Sequence, residues 1–270
     1  MLKKNLLYVL ILHLCLATHA SHTGIFIIVH GTWGRDSQWC KPGGDFFDAL
    51  EKSAARYNKK VTSYIWPGYL NHEGRQMAAK GLAKLIQTYP VAMNITLVAH
   101  SHGGNVCMVA SQLLNQDPHN KHSIDALYAI GTPINADWYC PNMNIIKRVY
   151  NLFSFADMVQ PVMGIFRRTL PSGPAIANIR LILDAQEPGH TELCTALTAR
   201  WLPCMHQYLA DANIGNFQYF DFSSPGIIFL NSNTNPFYAI DSQRDALMAQ
   251  DKVIIDSITH SLVRKKQIKQ

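Results

Sequence analysis

Charge is scarce in this 270-residue chain: Asp, Glu, Lys and Arg together make up 16% of it, against about 25% in an average globular protein. No C-x-x-C pair occurs, which argues against a zinc ribbon or a thioredoxin-like redox centre. The chain also lacks G-x-x-x-x-G-K-[ST] and the glycine fingerprint of dinucleotide-binding folds. No heptad is sustained and glycine is limited to 16 residues, so coiled-coil and collagen-like architectures are excluded. His, Cys, Asp and Glu are scattered without metal-ligand spacing, and neither a metal nor a cofactor is expected. There is no internal repeat, no low-complexity tract and no linker long enough to separate domains. What is present is a hydrophobic fraction of 48%, enough for one sizeable core rather than two and incompatible with bulk disorder.

The N-terminus stands apart from that core. Lys3 and Lys4 precede an apolar run from Leu6 to Leu16, broken by His13, and Ala17-Thr-His-Ala20 follows with small residues. This is the layout of a Sec-type signal peptide over residues 1–20. The run is shorter than the roughly 20 apolar residues of a membrane span. Residues 21–270 are then a secreted or periplasmic domain, the alternative being an N-terminal membrane anchor. A lipoprotein reading through Cys15 is weak, because Leu14 before it is not small.

Loss of the two lysines lowers the formal charge from +6 to +4, too little and too dispersed for a nucleic-acid partner. The basic cluster Arg264-Lys265-Lys266 with Lys269 is a solvated tail or a loose attraction to anionic membranes. Five cysteines remain: Cys40, Cys107, Cys140, Cys194 and Cys204. Cys107 falls on the apolar face of a predicted helix. The other four could form two bridges in an oxidising compartment. Spacing does not encode connectivity, and the pairing expected is Cys40–Cys140 with Cys194–Cys204.

Gly24–Val29 is a continuous β-branched run, as in a strand buried on both faces. Similar runs recur at Val61–Trp66, Ile95–Ala99, Ala126–Ile130, Val149–Phe155 and Ile179–Leu183. Helical periodicity appears between them at Asp45–Tyr57, Gly74–Tyr89 and Gly104–Gln116. Alternating strands and helices predict an α/β fold with a mostly parallel sheet of six strands or slightly more, covered by helices on both faces. Strand C-termini then share one edge, where ligands bind. Thr191–Leu209 reads as a helix interrupted or ended near Pro203, and Asp241–Leu262 as a last helix. Phe217–Phe222 and Gly226–Leu230 could be short edge strands.

The sharpest local signal is Leu97-Val-Ala-His-Ser101-His-Gly-Gly104, placed after a predicted strand and opening a predicted helix. A serine on such a turn has a strained backbone and needs small neighbours two residues away on each side, which Ala99 and Gly103 supply. The turn lifts the hydroxyl above the sheet edge and aims the His102 backbone N–H into the site from a helix N-terminus. On these residues the chain resembles the α/β-hydrolase superfamily and, within it, small lipases and esterases. Its pattern is A-x-S-x-G rather than G-x-S-x-G, a departure that some lipases of the family share.

The resemblance spans roughly residues 24–209 and implies a compact version of that fold. It also implies the rest of the machinery. His30-Gly-Thr-Trp-Gly34, after the first strand, matches the HG motif whose backbone completes the oxyanion hole. The donor is then the N–H of Thr32, with Trp33 as runner-up and His30 structural. Asp157 lies where the family places its triad acid, with Asp137 as the alternative. The order serine, acid, histidine leaves His190, His206 and His260 as bases. His190, in a loop after the last core strand, is favoured over His206 in a helical stretch.

Ser101, Asp157 and His190 would thus form an acyl-enzyme from a small-molecule or lipid ester, with Thr32 and His102 holding the oxyanion. The same triad would serve an acyltransferase, amidase or thioesterase, and a third reading is a non-catalytic binding module on this scaffold. The side chains of His100 and His102 are expected in packing or solvent. Trp66–His72 and Gly131-Thr-Pro133 resemble loops that shape an acyl pocket in lipases. The apolar stretch 158–177, with Arg167 and Arg168 at its rim, is either a lipid entrance or core. It leaves open a peripheral contact with a membrane or lipid interface. Residues 213–270 are an extension packed on the domain, outside the resemblance.

Overall fold

The computed structural model describes residues 22–159, 167–171, 173, 175–211, 226–230, 232 and 237–239. The expected signal peptide, the strand Phe217–Phe222, the helix Asp241–Leu262 and the basic C-terminal cluster lie outside the described residues.

One sheet runs through the described chain. Its strands are β1 (Gly24–Val29), β2 (Lys59–Tyr64), β3 (Asn94–His100), β4 (Ala126–Ile130), β5 (Val149–Phe153), β6 (Ile176–Leu183), β7 (Gly226–Leu230) and β8 (Phe237–Ala239). The spatial order is β2-β1-β3-β4-β5-β6-β7-β8. Every neighbouring pair is parallel except β7 with β8. The interleaved helices are α1 (Asp45–Ala55), α2 (His72–Gln87), α3 (His102–Gln116) and α4 (Ala196–Asp211).

Side-chain alternation along the strands divides the core. Ile25, Ile27 and Val29 of β1 join Ile95, Leu97 and Ala99 of β3 under α2 and α3, through Leu82, Ile86, Val106 and Ala110. Phe26 and Ile28 point the other way, with Val98, Tyr128 and Ile130, and meet Phe46 and Leu50 of α1 and Ala199 and Leu202 of α4. This follows from handedness. The β1-to-β2 crossover runs in the opposite direction to those that follow, so right-handed connections place α1 on the opposite face from α2 and α3. The reversal creates a switch point between the C-terminal ends of β1 and β3, where open α/β sheets hold their ligands. The HG loop leaves β1 there and Ser101 leaves β3.

One expected helix differs in extent. The last described helix starts at Ala196 rather than Thr191, and it continues through Pro203. Pro203 removes one helical N–H, but carbonyls around it have tertiary partners. Ser53 Oγ donates to the Arg200 carbonyl at 2.7 Å and Tyr128 Oη to that of Leu202 at 2.8 Å. The helix is thereby tied to α1 and β4.

The five cysteines are all free thiols, which corrects the expected pairing. Cys40 is buried on the α1/α4 face, whereas the Cys140 carbonyl accepts from Gln112 of α3 on the opposite face. Cys194 precedes α4 and Cys204 lies in its third turn. The eight-residue rise from Ala196 to Cys204 is about 12 Å, beyond the Cα separation of about 7 Å that a disulfide tolerates.

Candidate active site

Ser101 sits between β3 and α3 with φ 54° and ψ −134°, a conformation that costs a non-glycine residue about 1–3 kcal/mol. The surroundings hold it there. Its N–H donates to the Ile130 carbonyl at 2.9 Å, and its own carbonyl accepts from Gly104 at 3.0 Å. A Cβ on Gly103 would lie 2.3 Å from the Val29 carbonyl oxygen, so α3 can approach β1 this closely only with glycine at that position. A Cβ on Gly104 would lie 2.1 Å from Thr132 Oγ1.

The HG loop passes directly over the serine. His30 is fully buried and stacks on Trp66, with ring centroids 5.5 Å apart. Its Nε2 accepts from the Trp66 N–H at 3.2 Å, which leaves the proton on Nδ1 for donation to the Gly31 carbonyl at 2.8 Å. Burial pushes the His30 pKa below its ordinary value, in keeping with this neutral form. Gly34 N–H also donates to the Gly31 carbonyl, at 3.1 Å. With that carbonyl fixed, peptide planarity turns the Thr32 N–H the opposite way. The Trp33 N–H donates to the Gly68 carbonyl at 3.0 Å. It is thus spent on the loop. His102 begins α3, where the first-turn N–H groups point out of the helix end.

Asp157 is fully buried, four residues beyond β5. His190 Nδ1–H donates to its Oδ2 at 2.8 Å, and the Val159 N–H donates to its Oδ1 at 2.9 Å. Gly131, with φ +57°, makes room for this pair. A Cβ there would lie 3.2 Å from Asp157 Oδ2 and 3.3 Å from His190 Nδ1. The G-T-P turn therefore backs the acid–histidine pair instead of lining a pocket, because the loop bends beneath the imidazole.

The acid loop has its own support. Arg168 donates to the Asp157 and Ser154 carbonyls, at 2.8 and 3.2 Å. Glu187 accepts from Ser154 Oγ at 2.7 Å and pairs with Arg180.

A cavity of about 450 Å³ opens at the switch point. Gly31, Thr32, Ser101, His102 and His190 form its polar side, and Trp33, Trp39, Leu70, Val159 and Cys194 its apolar walls. Among the described residues no hydrogen bond joins the Ser101 hydroxyl to the His190 ring. Such contacts commonly tighten only when substrate binds. Asp137 borders a separate groove with His72 and Trp138, away from the imidazole. His206 falls within α4, and His260 lies outside the described residues.

The histidines flanking the serine depart from expectation: both line the cavity. Burial, with some repulsion from the neighbouring His190, pushes the His100 pKa down to about 4. Burial, then the charges of Arg75 and His190, pushes His102 down to about 4. Strand parity was the available signal for His100. It shares the face of Val98 and hence of α4, whose preceding loop carries His190. Among the described residues no group of His, Cys, Asp or Glu side chains is arranged to hold a metal ion.

The sequence model of the family described as Lipase (class 3) matches residues 26–166, just over half of the chain. Among curated protein sequences none matches. Solved structures with similarity include an α/β serine hydrolase without a lid from Xanthomonas campestris, at 12% identity and a TM-score of 0.44, covering 71% of this chain and 84% of that one. A cutinase-like protein from Cryptococcus sp. is 14% identical with a TM-score of 0.34, covering 43% of this chain and 57% of that one. A Trichoderma reesei cutinase in complex with a phosphonate inhibitor is 19% identical with a TM-score of 0.33, covering 46% and 58%. The chain thus spans little more than half the length of either cutinase.

Proposed function

The chain belongs to the class 3 lipase family, a group of carboxylic-ester hydrolases, and from that membership we propose that it is an exported serine esterase using Ser101, Asp157 and His190. The observation that carries the proposal is the pairing of His190 with buried Asp157 beside a serine on a strained elbow, with Ser101 and His190 lining one cavity.

In this reading His190 Nε2 takes the Ser101 proton as Oγ attacks the ester carbonyl. Asp157 keeps the proton on Nδ1 and stabilises the imidazolium. The N–H groups of Thr32 and His102 receive the oxyanion, each contributing about 3–4 kcal/mol of transition-state stabilisation. The imidazolium returns its proton to the departing alcohol, leaving an acyl-enzyme that water resolves by the reverse path.

The cavity mouth supports an apolar acyl group. Trp33 is 79% exposed, Leu70 50% and Val159 43%, a cluster suited to a lipid ester or its interface. The positively charged, apolar N-terminal segment supports export.

A fluorophosphonate probe tests the chemistry. Wild type should label at one site and Ser101→Ala should not, and p-nitrophenyl esters of increasing chain length should rank the acyl preference. A wild type that neither labels nor hydrolyses any ester would overturn the proposal. Mass spectrometry of exported protein should find an N-terminus near Ser21; an intact Met1 would overturn the leader assignment.

A further inference from the structure

His100 touches the catalytic base from the residue immediately before the serine. Its Nε2 lies 3.0 Å from the His190 backbone oxygen, and since a carbonyl only accepts, Nε2–H is the donor. The two rings are 4.6 Å apart, and Trp39 packs edge-on against the far side of His100 at 5.6 Å.

The segment carrying His190 has no regular secondary structure. Turn bonds from Leu193 to Gly189 and from Cys194 to Thr191 close around it. Neither involves the His190 carbonyl, and among the described residues His100 supplies the one hydrogen bond to that oxygen.

We propose that His100 is a positioning residue. Its imidazole ties the backbone of His190 to the strand end that carries Ser101, and so sets the distance between base and nucleophile. This rests on the Ser101–Asp157–His190 reading above. The Asp157 bond fixes the rotation of the His190 ring but not the height of its backbone over the elbow. The His100 bond supplies that second constraint, from the same strand that presents the hydroxyl. A neutral donor suits the role, because a cation at 4.6 Å would oppose the imidazolium formed in each turnover.

The test compares His100→Phe, which keeps a ring and loses the donor, with His100→Gln, which keeps a donor of similar reach. His100→Phe should lower kcat about 10–100-fold, the effect of a displacement near 1 Å, with KM within about threefold of wild type. Fluorophosphonate should still label it to completion, at a rate reduced in proportion. His100→Gln should recover most of the lost kcat. The low-field proton resonance of His190 Nδ1–H should persist in both variants, since the bond to Asp157 is untouched.

Wild-type kcat in a folded His100→Phe, or a folded His100→Gln as slow as the Phe variant, would overturn the proposal. Should His100→Phe fail to fold, His100→Gln alone carries the test, and its kcat must stay within about fivefold of wild type. A wild type that the probe does not label would instead sink the underlying serine-hydrolase reading.

Discussion

A methyl group placed on Gly31 would lie 2.7 Å from Ser101 Cβ and 3.3 Å from Ser101 Oγ. The loop after β1 therefore rests on Ser101 itself. That contact brings Thr32 and Ser101 to the same cavity, and it makes the dipeptide His30-Gly31 a single device. The imidazole fixes the carbonyl, and the absent side chain permits the approach.

Gly31→Ala should therefore be a functional lesion more than a structural one. Separating the loop from the elbow removes one oxyanion donor, and kcat/KM should fall about 10²–10³-fold. Steady-state hydrolysis of a short p-nitrophenyl ester, alongside a thermal melt, checks this. Activity within about threefold of wild type would show that the Thr32 N–H is not the donor.

Gly131→Ala should damage both stability and turnover. An L-residue at φ +57° costs about 1–2 kcal/mol, and the new methyl would press on Asp157 and His190 at 3.2–3.3 Å. A lowered urea midpoint should accompany a kcat loss, whereas Gly34→Ala should leave the Asp157–His190 bond undisturbed. An unchanged kcat in folded Gly131→Ala would show that the acid–base pair tolerates displacement.

Asp157→Asn tests the tautomer. The amide oxygen can still accept from the Val159 N–H, so the loop should hold. An amide Nδ2–H facing His190 favours the imidazole with Nδ1 unprotonated, the wrong form for a base at Nε2. Turnover should fall about 10⁴-fold, with fluorophosphonate labelling slowed in parallel. Residual activity above about a tenth of wild type would point to another acid.

Acid should destabilise the fold before carboxylates titrate. His100 and His102 have folded pKa values near 4 against an ordinary 6.5. Between those values the unfolded chain binds more protons than the folded one, so stability falls as pH falls. None of this stability is lost above about pH 6.5, and the loss reaches a few kcal/mol by about pH 4. Urea midpoints at pH 7.5, 5.5 and 4.5 measure it. The decline should be shallower in His100→Gln, and an identical slope would contradict the buried neutral imidazole.

Much of this architecture is legible in local pattern. Gly24–Val29 and Ala126–Ile130 form strands with the expected boundaries, because strands buried on both faces leave uninterrupted apolar runs. β2 begins two residues early, at Lys59. It is an edge strand, and its polar, half-exposed residues blur the hydrophobic signal. The start of α4 is hidden for a different reason. Thr191–Thr195 has helical composition but is drawn into the turns that present His190. Pro203 looks like a helix breaker until Ser53 and Tyr128, distant in sequence, attend to the carbonyls around it.

The elbow and the HG dipeptide were written in one dimension, because steric demands at a tight turn act between residues a few positions apart. Which aspartate meets which imidazole, the commitment of the Trp33 N–H to Gly68, the space kept by Gly131 and the bond from His100 to His190 were settled by folding. Each joins segments more than 25 residues apart in the chain, brought together only when right-handed crossovers gather the strand ends at one edge of the sheet.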